Sequence, residues 1–456
     1  MACARLVLGS LAIMALLTAP SVAAPPPKGL DRIAHIIVIY LENHSFDNLF
    51  GDFPGANGRA NAGKAAVQVD AEGRPYAALP PVYDAYAKPP GPDPRFPAEL
   101  PNKPFPIDAY VPQDQRAPDL VHRFYQEEMQ IDGGKMDKFA AVSDARGLSM
   151  GYYDGSKMRL WRYAREYVLA DNFFHAALGG SFLNHIWMIC ACTPRYEGAP
   201  AAMTAVLRAD GSLEKDGQIT PDGFAVNTIQ SVFTPHSAKI TDKSRLLPPQ
   251  TLPTIGDRLS EKNVSWAWYS GGWNAALAGD PAPSFQFHHQ PFAYFAAYGD
   301  GTEARRRHLK DETDFLNDID AGTVPAVAFY KPLGLDNEHP GYADITSGDR
   351  HVEAVIEKIR HSSAWPSSVI IVTYDENGGY WDHVAPPKID RWGPGSRVPT
   401  VIISPFAKRH YVDHTFYDTT SILRLIEERF RLKPLGTRDA QANDLRAALT
   451  LSQSAP

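Results

Sequence analysis

Two short apolar runs constrain this chain more than anything else in its sequence. The first is Ile33-Ala34-His35-Ile36-Ile37-Val38-Ile39-Tyr40-Leu41, and the second is Ser368-Val369-Ile370-Ile371-Val372-Thr373-Tyr374. Both are rich in β-branched residues, show no helical period and are too short for a buried helix, so each reads as a buried strand. Each also runs straight into acids: Glu42-Asn43 after the first, Asp375-Glu376-Asn377-Gly378-Gly379 after the second.

Further strands are expected over Leu169–Phe174, Asn263–Tyr269, Ala326–Tyr330 and Val398–Ser404. Helices are expected over Pro118–Gln130, Asp154–Tyr167, Gly348–Arg360 and Phe416–Phe430, the last starting from the capping residues of Asp413–Thr415. Strands alternating with helices imply an α/β fold with a central, mostly parallel sheet flanked by helices. Residues 51–112, rich in Pro, Gly and Ala, read as a long irregular insertion that still carries aromatics. The polar, turn-rich stretch 199–249 reads as a second insertion.

In an open α/β sheet, ligands gather at the carboxyl ends of the strands. Carboxylates there are costly to bury without a cation. Glu42, Asn43, Asp375 and Glu376 offer oxygen ligands that suit one hard or borderline divalent metal ion. The competing reading of Asp375-Glu376-Asn377-Gly378 is a solvent-facing turn, because Asn-Gly is a strong turn signal.

Leu178-Gly179-Gly180-Ser181 precedes an apolar helical run. Such a segment can set a hydroxyl at a helix N-terminus, where backbone N–H groups and the helix dipole favour phosphate. A bound metal would activate that hydroxyl as a nucleophile. The plainer reading is that Ser181 is only the N-cap of its helix. Several histidines could supply cationic or proton-donating partners to a phosphate ester: His122, the tandem pair His288-His289, His339 and, at the start of a helix, His351. On a strand, the tandem pair would face opposite sides.

The segments LENHSFDNLFG after the first strand, QIDGGKMDKF at Gln130–Phe139, NEHPGYAD at Asn337–Asp344 and IIVTYDENGGYWDHVAPP at Ile370–Pro387 resemble the bacterial phosphoesterase family. That family joins phospholipase C enzymes with an acid phosphatase branch. The resemblance implies an alkaline-phosphatase-like fold, and a metal held by Glu42, Asn43, Asp375, Glu376 and the Ser181 hydroxyl. It implies active-site roles for His122 (placed in the helix before QIDGGKMD), His288, His289 and His339, with His351 a weaker match. The phospholipase C branch usually carries an extra C-terminal β-rich region and often twin arginines in its signal. This chain shows neither, which tilts the expectation toward the acid phosphatase branch.

The expected activity is hydrolysis of phosphate monoesters by a serine nucleophile. The alternatives are a phospholipase C acting on the phosphodiester head groups of phospholipids, and a non-catalytic phospho-ligand binding protein on the same fold. A formal charge of -7 argues against a nucleic-acid partner.

Arg5, the apolar run Leu6–Leu17 and the small residues Ser21-Val22-Ala23 read as a secretory signal over residues 1–23. Residues 24–456 would then form one secreted or periplasmic phosphoesterase domain. No later run is apolar and long enough for a transmembrane helix. Cys190 and Cys192, one residue apart, remain open between a strained bridge and two free thiols. The exported protein is expected to begin at Ala24. N-terminal sequencing checks this, and an intact Met1 on the soluble, active form contradicts it.

Overall fold

The computed structural model describes residues 28–451; the predicted signal, residues 1–23, lies outside them. The centre is an eight-stranded sheet. Its strands in chain order are β1 (His35–Leu41), β2 (Val168–Ala170), β3 (Trp266–Ser270), β4 (Leu309–Asp311), β5 (Val327–Lys331), β6 (Ser368–Tyr374), β7 (Thr400–Ile403) and β8 (Tyr411–Asp413). Across the sheet the order is β4-β3-β5-β1-β6-β7-β2-β8. All neighbours are parallel except that β7 runs against both β6 and β2. The expected α/β class with a mostly parallel sheet holds.

The longer helices are α1 (Phe124–Ile131), α2 (Arg159–Glu166), α3 (Ser181–Cys190), α4 (Glu312–Ala321), α5 (Ile345–Arg360) and α6 (Thr419–Phe430). They cover both faces of the sheet. Phe329 and Tyr330, adjacent in β5, point to opposite sides. Phe329 stacks on Trp268, which lies under His185 of α3, whereas Tyr330 packs against Phe315 of α4 and His351 of α5. With both faces covered, β1 and β6 are buried almost throughout, and this is why their sequences are unbroken apolar runs.

Several boundaries differ from expectation, and at the heads of α1 and α2 the amides are taken by residues distant in sequence. The predicted helix over Pro118–Gln130 begins only at Phe124. Ahead of it the amides of Leu120 and Val121 are taken by the side chains of Asp119 and Asp144, and that of Phe124 by Asn227, so no helical ladder starts earlier. His122 therefore lies in an extended segment, not in a helix.

The helix expected over Asp154–Tyr167 is broken. Asp154 caps a short 3-10 turn, and Asp349 then caps α2 through the amides of Arg159 and Leu160. The strand expected over Leu169–Phe174 divides between β2 and a separate pairing of Phe173–Phe174 with Tyr417–Asp418. The helix expected from Phe416 starts at Thr419, with Asp418 rather than Asp413–Thr415 as its cap. The tandem histidines sit in a 3-10 turn, Phe287–His289, and not on a strand. His351 lies inside α5 rather than at its start. Cys190 and Cys192 form a disulfide at the end of α3. Residues 51–112 contain only short 3-10 turns and two-residue strands, as an irregular insertion should. Among the described residues, no helix is long and apolar enough to cross a membrane.

Candidate active site

Strand register builds the site. Leu41 of β1 pairs with Tyr374 of β6, so Glu42 and Asp375 leave the sheet side by side; the Asp375 amide donates to Leu41 O at 3.0 Å. On the other flank of β1, Ile39 pairs with Tyr330, which brings Lys331, the last residue of β5, to the same edge. Glu42, Asp375, Glu376 and Lys331 are all fully buried.

Glu42 is held from two sides. Its Oε2 accepts from Asn337 Nδ2 and Tyr342 OH, both at 2.8 Å. Its Oε1 lies 2.9 Å from Lys331 Nζ and also contacts His289 Nε2, in both cases outside hydrogen-bond geometry. Burial pushes the Glu42 carboxyl up, but His289 and Lys331 more than offset this and hold it well below the usual carboxylate range. Burial pushes His289 itself down to about 4, so near neutral pH Lys331 is the cation that balances Glu42.

Asn43 adopts the left-handed conformation, φ 67°, which Asn tolerates better than most residues. This turns its amide toward Asp375 Oδ1 (3.3 Å) and its side chain toward both Ser181 and His122. The loop after β6 closes against it. Gly378 has φ 62°, and a Cβ there would come within 2.1 Å of Asn43 O. Asp375 Oδ1 also accepts the Glu376 amide, while Oδ2 has no hydrogen-bond partner. Burial, with Glu42 adding to it and Lys331 opposing, pushes Asp375 up to about 7. Burial and then Asp375 push Glu376 well above its ordinary range.

Ser181 is the first residue of α3; the cap position is Gly180, and no side chain caps the helix. The plain N-cap reading therefore fails for Ser181. Its Oγ donates instead toward Asn43 Oδ1 at 3.1 Å and Glu376 Oε1 at 3.3 Å.

The structure brings Glu42, Asn43, Ser181, Asp375, Glu376, His122, His288, His289 and His339 into one continuous constellation. His122 Nε2 lies 3.3 Å from Asn43 Nδ2 and 3.8 Å from Glu376 Oε1, and its ring stands edge-on to His339 at 5.6 Å. His339 stacks on Tyr342, the same tyrosine that holds Glu42. His288 and His289 both face Glu42. His351 is excluded: it bonds Tyr330 OH on the opposite face of the sheet and lies 3.5 Å from Glu312.

Two residues at the centre were not singled out from the sequence. Lys331 carries a signal in retrospect, as a lysine closing an otherwise apolar strand. His185 follows Ser181 by four residues, and so shares its helix face. His185 Nδ1 lies 2.8 Å from Ser181 O, and its ring stacks on His289 at 5.1 Å. Donation from Nδ1 leaves Nε2 as an acceptor without a partner.

The donor set fits a divalent cation. Glu42, His185 and Asp375 each offer an atom within 4.8 Å of the others, as do Glu42, His288 and His289. Asp375 Oδ2, His185 Nε2 and His289 Nε2 are buried without hydrogen bonds. Buried carboxylates in this number outweigh the single lysine, and a bound cation removes the imbalance.

An oxyanion ester is the substrate such a site can accept, since a cation over carboxylates and a hydroxyl at a helix head both address a phosphate-like group. Residues 33–433 match the Phosphoesterase family, and the chain belongs to it. It is a hydrolase acting on phosphoric ester bonds. The chain is 24% identical to phospholipase C A of Mycobacterium tuberculosis, over 94% of its own length and 79% of that protein. It is 21% identical to the non-hemolytic phospholipase C of Pseudomonas aeruginosa, over 88% of its own length and 54% of that protein. A solved member of the alkaline phosphatase superfamily from Vibrio parahaemolyticus superposes at a TM-score of 0.32 with 10% identity, covering 72% of this chain and 73% of that one, too loosely to carry a fold assignment.

Gly378→Ala tests how tightly the two strand-end loops must fit. The added methyl collides with Asn43 O and requires a positive φ of a residue that resists it, so Asn43 must shift. Turnover is expected to fall at least about tenfold, with a loss of about 1–3 kcal/mol in stability. Steady-state kinetics with denaturant unfolding checks both.

Proposed function

We propose that this protein is an exported, metal-dependent phosphomonoesterase of the acid phosphatase type, with Ser181 as its nucleophile. The observation that carries this reading is the Ser181 hydroxyl. It opens a buried helix, caps nothing, and lies within hydrogen-bond distance of both Asn43 and Glu376.

Glu42, Asn43, Asp375, Glu376 and Ser181 would hold one divalent ion, with His185 beside them. When bound, that ion supplies positive charge that favours the serine alkoxide and neutralises phosphate. The first amides of α3, which have no partner within the helix, receive phosphoryl oxygens. Glu376 Oε1, 3.3 Å from Ser181 Oγ, is placed to take the serine proton. Oγ then forms a bond to phosphorus as the bond to the leaving alcohol breaks in line. His122 lines the cleft beside Gly180, with His339 against it, and this pair is placed to protonate the leaving oxygen. Water then attacks phosphorus, with the same histidines accepting its proton, and the bond from phosphorus to Ser181 Oγ breaks as Glu376 returns the proton to Oγ. His288 and His289 face Glu42 and so orient the acidic floor.

The cleft beside Gly180 measures about 160 Å³, and its wall combines polar groups such as Asp119, His122 and Arg123 with apolar ones such as Leu120, Phe182 and Val226. The second reading, a phospholipase C, is favoured by the relatives of that name. A non-catalytic phospho-ligand binder is the third. Purified protein assayed on a phosphomonoester and on a choline phosphodiester separates them: the first reading expects faster monoester turnover, and turnover of neither substrate supports the binder.

Ser181→Ala is expected to lose on the order of 10³-fold or more in turnover. Its melting temperature should stay near the parent's, because the side chain caps nothing. Near-normal turnover in the folded variant contradicts the assignment. Elemental analysis should find one divalent ion per chain, and less in Asp375→Ala and Glu42→Ala. Full metal content with full activity in both variants would refute the ligand set.

A further inference from the structure

Behind the loop that carries Ser181 lies a buried ion pair that the reaction above does not use. Glu127 of α1 and His175 are both buried, with His175 Nε2 2.9 Å from Glu127 Oε1. His175 Nδ1 lies 2.8 Å from Ala177 O. Nδ1 thus faces a carbonyl, and Nε2 faces the Glu127 carboxylate with the Ser396 amide also 3.0 Å away. Burial pushes the imidazole down, but Glu127 more than offsets this and raises it above its usual range.

Glu127 does more than balance that charge. Its Oε2 accepts the Gly179 amide at 2.6 Å, two residues before Ser181. Its Oε1 also accepts the Ser396 amide (2.9 Å) and hydroxyl (3.0 Å). Ser396 Oγ in turn accepts from Asn377 Nδ2 at 3.2 Å, and Asn377 directly follows Glu376. One carboxylate therefore ties the loop before the serine to the loop after the acids.

The fit is close. Gly179 has φ 88°, and a Cβ there would lie 2.5 Å from Phe124 N at the head of α1. From the other side, Asn184 holds the same loop through Ala177 N and O, at 2.9 Å each, and Gly179 O, at 3.1 Å. A buried ion pair stabilises a fold little compared with apolar residues of the same volume. What this pair supplies is a fixed direction for two loops that must meet.

We propose that the Glu127–His175 pair is a positioning device for Ser181, setting the reach of its hydroxyl to Asn43 and Glu376. This rests on Ser181 being the nucleophile. Among the described residues no hydrogen bond or ion pair joins either residue to Ser181 Oγ, Asn43 or Glu376, although the Glu127 charge helps raise Glu376, so their loss should appear in kcat rather than KM.

The test compares Glu127→Gln, Ser396→Ala and Ser181→Ala with the parent in the full-length, metal-loaded protein, using p-nitrophenyl phosphate. Glu127→Gln keeps the side-chain shape and removes the charge. It should fold with the parent's metal content, lose about 10- to 100-fold in kcat, and keep KM within about twofold. Ser396→Ala spares the ion pair and cuts the tie to Asn377, and should lose several-fold in kcat. A folded Glu127→Gln with the parent's kcat and a lower melting temperature makes the pair merely structural and overturns the proposal, as does a loss carried by KM alone. Should Glu127→Gln not fold, Ser396→Ala decides: a drop in kcat at constant KM supports the proposal, and the parent's kcat overturns it. If Ser181→Ala is inactive while Glu127→Gln is normal, only the positioning role falls. If Ser181→Ala turns over normally, the nucleophile reading falls, and the proposal with it.

Discussion

A carboxylate taken out of water must find compensating charge or give up its ionisation. At the carboxyl edge of this sheet, Glu42, Asp375 and Glu376 are fully buried, and among the described residues Lys331, paired with Glu42, is the one lysine or arginine in ion-pair contact with this group. Burial acts on all three, but His289 and Lys331 hold Glu42 low, whereas Asp375 and Glu376 are pushed upward. Much of the surrounding architecture serves to hold this group together, from the left-handed Asn43 to the glycine turn that closes on it.

The fold produces the group by register. Parallel pairing of β5, β1 and β6 delivers Lys331, Glu42 and Asp375 to one edge. From the helical side, α3 contributes Ser181 and His185 from a single face, four residues apart. The second layer repeats the device at lower charge, with Glu127 and His175 joining the two loops from behind. In the proposed reaction these layers leave little for covalent chemistry beyond the serine; positioning and charge stabilisation carry the rate.

The central strands and their acidic ends were legible in the sequence because a doubly covered strand has to be apolar along its length. Ser368–Tyr374 matches its expected span, and β1 begins only two residues later than expected. Helix starts were less legible. α1 and α2 depend on Asn227 and Asp349, caps that lie about a hundred residues or more away and leave no local signature. Lys331 reads as an ordinary strand-ending lysine until register places it beside Glu42. His351, the weaker match among the histidines, is set apart structurally by the alternation of β5, which sends its partner Tyr330 to the opposite face of the sheet.

The central claim is that Ser181 becomes covalently phosphorylated during turnover. The most direct measurement is acid quenching of the metal-loaded protein during steady-state hydrolysis of a phosphomonoester, followed by peptide mass spectrometry. The account predicts one added phosphoryl group, located on Ser181, that disappears when substrate is exhausted. Vigorous turnover with Ser181 unmodified at every quench time, or with the phosphoryl group on another residue, would contradict it.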